Sequence, residues 1–348
     1  DDMPGASSWA VSSPAAFVPA LGANFSWFSA TCYFFGRDLY KQLDGKVPIG
    51  LVASDWGGQT VETFSSPDAL ADKTCGGTQP GSDSLAGAVP NPTASQLWDA
   101  MIYPFKHMRF QSSIWYQGEA NAGNPVSYAC RFPAMIADWR SKFELPGMGF
   151  FFVQLAAYTQ DYSQIRNAQM AALLLNNTGY AVAIDIGDST SPFSSIHPRR
   201  KQEVGRRLSL AVLSKMYGAK VVAYGPLLSG ASLSPDGKTA TVSFLPETAQ
   251  GLHAHDTADC TSCCKGQSPF EVLNGATWVR VAYTLGADAA TLAIPPSTAV
   301  NAIRYDWTGF PQCALYNGVG GPDDHAGIAA TPFCWDMAHK QPCPVQNI

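Results

Sequence analysis

The sequence predicts an α/β fold, a parallel sheet flanked by helices, followed by a small disulfide-rich β domain. Three observations predict it. Up to about residue 224, short apolar β-rich runs alternate with segments of helical spacing, the texture of a parallel sheet covered on both faces. Beyond that point short alternating runs are separated by turn signals. Six of the nine cysteines, Cys260, Cys263, Cys264, Cys313, Cys334 and Cys343, crowd the last quarter of the chain. We therefore expect an α/β unit over 1–224 and a β-rich unit over 225–348.

The elements follow in order. Strands are expected at Val47–Ala53, Ser113–Tyr116, Phe150–Leu155 and Tyr180–Ile186, with a fifth at Lys220–Tyr224. Helices are expected at Trp27–Gln42, Ser95–Phe105 and Ser163–Leu175, the last capped by Asp161 or Ser163. Tyr128, Phe132, Met135, Ile136, Trp139 and Phe143 recur at steps of three and four, one apolar stripe of a helix. Pro133 lies in that stripe, so the helix is expected to start or kink there. A last helix runs from Pro198 to about Tyr217 and ends at Gly218, with His197 as its cap. In the second unit Thr239–Phe244, Thr277–Tyr283 and Ala290–Ile294 read as strands, and Pro235-Asp236-Gly237 as a turn.

Composition excludes several functions. Lys+Arg 22 against Asp+Glu 27 leaves a net charge of −5, and no basic run exceeds Arg199–Lys201. A nucleic-acid backbone is therefore not the partner. No apolar stretch approaches the roughly 18 residues of a membrane span. Nine cysteines and two glycosylation sequons, at Asn24 and Asn176, point to an oxidising compartment. Zinc is the rival for the cysteine cluster, but Cys260-x-x-Cys263 lacks a second spaced pair, and His253 and His255 precede it. Nine is odd, so one thiol is free or bonded to another chain. Asp1-Asp2-Met3-Pro4 has neither the basic start nor the apolar core of a signal peptide. For a secretory sequence this implies a processed N-terminus or a fragment.

Three strand ends carry unusual polar residues, and parallel sheets bind ligands at those ends. The first runs into Ser54-Asp55-Trp56-Gly57-Gly58-Gln59. The Gly57-Gly58 pair presents backbone N–H groups to an oxyanion, or simply makes a tight turn. The second continues as Trp115-Tyr116-Gln117-Gly118-Glu119-Ala120-Asn121. Buried Gln117, Glu119 and Asn121 are costly unless hydrogen-bonded, so they form a structural network or a polar pocket lined by aromatic faces. The third brings Asp185 and Asp188 before His197, a general-base candidate or a plain helix cap.

These residues carry a resemblance. Ile49-Gly50-Leu51-Val52-Ala53-Ser54-x-Trp56-Gly57-Gly58, Trp115-Tyr116-Gln117-Gly118-Glu119 and Ser195-Ile196-His197-Pro198-Arg199-x-Lys201-Gln202 resemble three blocks of sialate O-acetylesterases, members of the SGNH hydrolase superfamily. Ser95–Ile102, Phe132-Pro133-Ala134, Asp138-Trp139-Arg140 and Arg304-Tyr305-x-Trp307 follow in the family's order. The resemblance implies an SGNH-like sheet and serine–histidine ester hydrolysis of O-acetylated sialic acids, with no metal or organic cofactor. It implies His197 as base, Gly57 N–H as oxyanion donor with Gln117 and Asn121 as side-chain candidates, and Trp56, Trp115 and Tyr116 around the sugar.

Two departures follow. The family's serine lies in an upstream Gly-Gln-Ser-Asn-Met-like block that this sequence lacks. The chain is therefore expected to be the larger C-terminal piece of a processed precursor, with the odd cysteine as one link to an N-terminal subunit. Ser54 is the rival nucleophile within the chain, though no Gly-x-Ser-x-Gly elbow surrounds it. Relatives place Asp three residues before the histidine, where this chain has Ser194, with Ser195 next. Asp188 or Asp185 folds back to orient His197, or a backbone carbonyl does. The expected setting is lysosomal or secreted. The alternatives are an acetylesterase of other polysaccharides and a non-catalytic glycan-binding protein.

Overall fold

The computed structural model describes residues 9–13, 28–76, 92–256, 267–311, 313–318 and 327–346. Three strands, β1 (Ser112–Trp115), β2 (Gly149–Gln154) and β3 (Thr178–Val182), pair in parallel in the order β1-β2-β3. The run Phe150-Phe151-Phe152-Val153 has no exposed surface, because its alternating side chains enter two different cores. Phe150 and Phe152 join Trp115, Phe132 and Trp139. Phe151 and Val153 join Phe35, Val204, Leu208 and Val212. This two-faced burial is the physical reason for the unbroken apolar run.

Helix α1 (Ala30–Gln42) is capped by Ser29, whose Oγ accepts from the Cys32 N–H. After the short α2 (Pro67–Leu70) comes α3 (Pro125–Lys142), which covers the first core. It starts at Pro125 behind an Asn124 cap and passes through Pro133 without ending there. Proline is well suited to the first helical position, and Asn124 supplies the signal that a start at Pro133 misses. Helix α4 (Ser163–Gln169) gives way to a 3₁₀ segment at Met170–Leu174; its N-cap is Tyr162 rather than Asp161 or Ser163, although Asp161 accepts from the Ser163 N–H just ahead of it. Helix α5 (Lys201–Met216) crosses α1 so closely that a Cβ at Gly205 would sit 2.6 Å from the Phe35 nitrogen. Only glycine allows that approach.

From Leu228 onward the named strands pair antiparallel. The strands β4 (Leu228–Leu233), β5 (Thr239–Phe244), β10 (Ala289–Ala293) and β9 (Tyr283–Leu285) form one sheet in that order. A second has the order β14 (Gln341–Pro342), β13 (Phe333–Asp336), β11 (Ala302–Tyr305), β7 (Phe270–Asn274), β8 (Thr277–Arg280). The pair β12 (Cys313–Tyr316) and β6 (His253–Asp256) lies against the parallel sheet, Ala314 and Tyr316 packing with Val182 and Ile184. The β4–β5 turn is the expected Pro235-Asp236-Gly237, with Asp236 accepting from Ser234 and Lys238 and Gly237 at φ 68°.

Several expectations are corrected. Val47–Ala53 and Lys220–Tyr224 are not strands, since neither has a ladder among the described residues. An apolar run becomes a strand only when a neighbour takes its backbone hydrogen bonds. Ser95–Phe105 is a π turn at Trp98–Ile102 followed by a 3₁₀ turn at Tyr103–Phe105, where Pro104 has no N–H for a regular helix. The first helix begins at Ala30, and Trp27, its expected start, lies outside the described residues.

Disulfides join Cys75 to Cys130 and Cys334 to Cys343, and Cys313 is also disulfide-bonded. Cys260, Cys263 and Cys264 lie outside the described residues, as does Asn24. Asn176 is exposed in the turn before β3. The unpaired thiol among the described residues is Cys32, buried on α1. No described helix is long and apolar enough to cross a membrane.

Candidate active site

The carboxyl ends of β1 and β2 are joined by side chains rather than by ladder bonds. After β1 the chain turns at Gly118, φ 150°, and enters a 3₁₀ turn at Glu119–Asn121. Gln117 Nε2 donates to the Gln59 carbonyl (3.0 Å) and to Asn121 Oδ1 (2.8 Å). Asn121 Oδ1 also accepts from the Val61 N–H, and its Nδ2 donates to Glu62 Oε2 at 2.9 Å. This network pins the segment carrying Trp56, Gly57 and Gly58 against the end of β1. Both amide hydrogens of Gln117 are committed to it, and Asn121 is 2% exposed. A donor already spent on a protein acceptor has little left for a transient anion, which applies to Gln117, whereas Asn121 Nδ2 gives one of its two hydrogens to Glu62.

Gly58 supplies the positive φ of the turn, 75°. Gly57 is exposed, its N–H donates to no described residue, and a Cβ there would touch nothing within 4 Å. It is the open backbone donor of the site. Ser54 lies just upstream, but its hydroxyl donates to the Met101 carbonyl at 2.7 Å.

Around the end of β1 stand charges that are short of solvent. Lys201, at the first position of α5, places Nζ 5.0 Å from the centre of the Tyr116 ring. Burial lowers its ammonium to about 8, against the pull of Glu119 and Asp188. Burial raises the Glu119 carboxyl, while Lys201 and Arg166 oppose that rise. The Tyr116 hydroxyl is buried without a partner among the described residues. His197 sits at the same rim. Loss of solvation, then the Lys201 charge, hold its imidazole below the usual value. The backbone N–H of His197 donates to the carbonyl of Ser194 (2.9 Å), a residue at φ 76°, and Ser191 Oγ donates to the His197 carbonyl.

His197 is not a helix cap. Helix α5 begins at Lys201, four residues later. Nor do the candidate carboxylates reach it. Asp188 takes Arg199 on both oxygens (2.6 and 2.9 Å), which holds it down at about 2. Asp185, 3% exposed, is bound bidentately by Arg207 (2.7 and 2.8 Å) and accepts from the Tyr316 hydroxyl. Each guanidinium outcompetes an imidazole for these oxygens, because it is always charged and offers a planar pair of donors. No described residue hydrogen-bonds the His197 ring. Trp115 is also displaced from its expected place. It is 8% exposed within the core, ringed by Phe64, Phe132, Trp139 and Phe150. Alternation puts Trp115 and Tyr116 on opposite faces, and only Tyr116 faces Lys201. Trp56 is half-buried against the same core.

Two residues escaped sequence reasoning. Gln169 Oε1 accepts from the Leu155 N–H, and its Nε2 donates to the carbonyls of Val153 and Gln117. Arg166, 1% exposed, donates to the carbonyls of Leu155, Ala156, Thr308 and Gly309. The available signal was an arginine and a glutamine on the inward face of a short helix, where unpaired polar groups are costly. Among the described residues, the His/Cys/acid group close enough for a metal is Asp72 with Cys75 and Cys130. Those two sulfurs are bonded to each other.

Residues 28–214 match the family described as carbohydrate esterase, sialic acid-specific acetylesterase. The chain is 33% identical over 374 residues to the sialate O-acetylesterase of Rattus norvegicus, covering 91% of this chain and 65% of that protein. It is 34% identical over 359 residues to the sialate O-acetylesterase of Homo sapiens, covering 93% and 64%. It thus spans just under two thirds of the length of these relatives. The crystal structure of a carbohydrate acetylesterase from Xanthomonas citri superimposes with a TM-score of 0.72 at 28% identity, over 90% of this chain and 66% of that one. The sheet order, the Gly57-Gly58 turn tied to Gln117, and the matched region agree: this chain belongs to the sialic acid-specific acetylesterase family of carbohydrate esterases.

Proposed function

We propose that this chain is the larger part of an esterase that removes O-acetyl groups from sialic acids in a lysosomal or secreted setting. The observation that carries the reading is the rim formed by the open Gly57 N–H, the end of β1 and the depressed imidazole of His197. In the proposed reaction a serine Oγ attacks the acetyl carbonyl carbon while His197 takes its proton. The tetrahedral oxyanion accepts from Gly57. Collapse breaks the ester bond, His197 returns the proton to the departing sugar oxygen, and an acetyl-enzyme remains. Water, deprotonated by His197, then releases acetate.

The serine comes from an N-terminal segment of the same precursor. Ser54 is a poor nucleophile as it stands, because its hydroxyl is spent on the Met101 carbonyl and no base is bonded to it. With both aspartates taken by arginines, His197 works in a dyad. Acetylated polysaccharides other than sialoglycans are the second substrate class, favoured by the Xanthomonas citri neighbour's description as a carbohydrate acetylesterase.

The test is labelling of the natively purified protein with a serine-directed fluorophosphonate, followed by peptide mapping. The expected label lies on a peptide outside these 348 residues. Label on Ser54 would make that residue the nucleophile, and no label would leave a glycan-binding protein. Separately, His197→Ala is expected to abolish acetate release at an unchanged melting temperature. Retained turnover would remove His197 from the reaction.

A further inference from the structure

A groove opens on the antiparallel sheets, with a cavity volume of about 1080 Å³. That volume matches the upper range of ligand sites. Its floor is the outward face of the five-stranded sheet. The inward face of the same strands, carrying Phe270, Val272, Ile303 and Tyr305, fills the β core. An outward sheet face ordinarily carries small polar side chains toward water. This one carries Trp278 and Arg304, and Trp307, just past the end of β11, lines the same groove.

Arg304 is held in place by its neighbours. It projects from β11, and its Nε donates to Glu271 Oε2 on the paired strand β7 at 2.7 Å. Its guanidinium carbon lies 4.1 Å from the centre of the Trp278 ring on β8, one strand further on. A guanidinium held over an indole and tethered through Nε has little freedom to turn. Its outer N–H groups donate to no described residue. That is the geometry that takes a carboxylate through two parallel hydrogen bonds. Two other charges line the groove, one of each sign. Lys340 is cationic. Asp336 is already engaged, accepting from the Ala338 and His339 N–H groups and pairing with His339 Nδ1. Trp307 presents an aromatic surface to the same space, suited to the C–H face of a sugar ring. Asn301 adds an amide for hydroxyl groups.

We propose that this groove is a binding site for a carboxylate-bearing oligosaccharide, separate from the ester-cleaving site, with Arg304 on the carboxylate and Trp307 stacked on a sugar ring. Nothing in this inference depends on which residue attacks the ester, or on whether the chain hydrolyses esters at all. A neutral glycan would leave the outer donors of Arg304 desolvated and unpaired, which is why the charged class is specified.

The experiment is calorimetric titration of the full chain with 3′-sialyllactose and, as the neutral control, lactose. The wild type is expected to bind sialyllactose and not lactose. Arg304→Gln and Trp307→Ala are each expected to weaken binding by about tenfold or more, with hydrolysis of a small acetyl ester unchanged. Since Arg304→Gln also strands Glu271, Arg304→Lys serves as the milder variant. It keeps the charge but loses the paired donors, and an intermediate affinity is expected at an unchanged melting temperature. Binding that survives both Arg304→Gln and Trp307→Ala would place the sugar at the sheet end and overturn the proposal. Equal affinity for lactose, or no binding by the wild type, would also overturn it.

Discussion

Replacing Arg207 tests whether Asp185 is structural, as the structure reads, or orients His197, as its position after β3 suggests. Arg207 is 1% exposed and bridges Asp185, Glu203 and the Val182 carbonyl, all at 2.7–2.8 Å. Arg207→Met leaves buried Asp185 without its guanidinium and Glu203 with Arg206 alone, a change that costs about 3–5 kcal/mol. The acid side gives an independent magnitude. Burial alone would raise the Glu203 carboxyl, yet the charges and N–H groups of Arg207 and Arg206 hold it at about 2, against an ordinary 4.5. That difference corresponds to about 3 kcal/mol. Because the folded value is the lower one, this stability is present above about pH 4.5 and is lost as pH falls toward 2. Urea unfolding at pH 7 and pH 3, followed by both circular dichroism and tryptophan fluorescence, measures it. The wild type should lose stability on acidification, and Arg207→Met should be weaker at pH 7 and less sensitive to acid. Asp185→Asn keeps the shape, should cost about 2 kcal/mol, and should leave turnover of the folded enzyme near normal. If Arg207→Met unfolds within 1 kcal/mol of wild type, the assignment of this cluster as a structural clamp fails. If Asp185→Asn folds normally but falls to the activity of His197→Ala, Asp185 orients the histidine after all.

Two further outcomes are expected. Lys201→Met removes a positive charge that holds the His197 imidazole down, so the acid limb of the kcat/KM profile should move to higher pH. A limb that stays in place or moves to lower pH would detach Lys201 from His197. Cys32 is buried and its thiol is pushed up to about 12, by desolvation first and by Asp55 second. Iodoacetamide should therefore leave it unmodified in the native protein and alkylate it after denaturation under non-reducing conditions, as peptide mapping would show. Native labelling would mean that α1 opens, and protection in the denatured chain would mean that a partner holds the sulfur.

The parts of the fold legible in the sequence were those whose cause is local. Phe150–Leu155 reads as a strand because both faces of β2 are apolar, and Pro235-Asp236-Gly237 reads as a turn because its residues make their own hydrogen bonds. Val47–Ala53 has the same apolar content, but a ladder requires a neighbour, which composition does not reveal. The site divides along the same line. Gln117, Glu119 and Asn121 stood out because polar groups after an apolar strand need partners. Their actual partners, Gln59 and Glu62, lie 58 and 59 residues away in sequence and are fixed only by the fold. Asp185 and Asp188 were matched to the nearest interesting base, His197. One pertinent signal was available. Glu203 and Arg207 stand four apart on a predicted helix, which marks Arg207 as a buried-side cation in need of acids. Arg166 offered no comparable pattern, since all four of its acceptors are backbone carbonyls.

Those carbonyls bear on how the chain can be divided. Leu155 and Ala156 directly follow β2 of the parallel sheet, while Thr308 and Gly309 follow β11. A Cβ at Gly309 would lie 2.2 Å from the Gln160 carbonyl, so the two backbones meet without room for a side chain. Excising everything after residue 224 would strip Arg166 of two acceptors, Asp185 of the Tyr316 hydroxyl, and Val182 and Ile184 of their cover. The α/β part is therefore not a portable module. Protein engineers who wish to exchange the antiparallel sheets for another unit would have to carry Thr308, Gly309 and Tyr316 along with the parallel sheet.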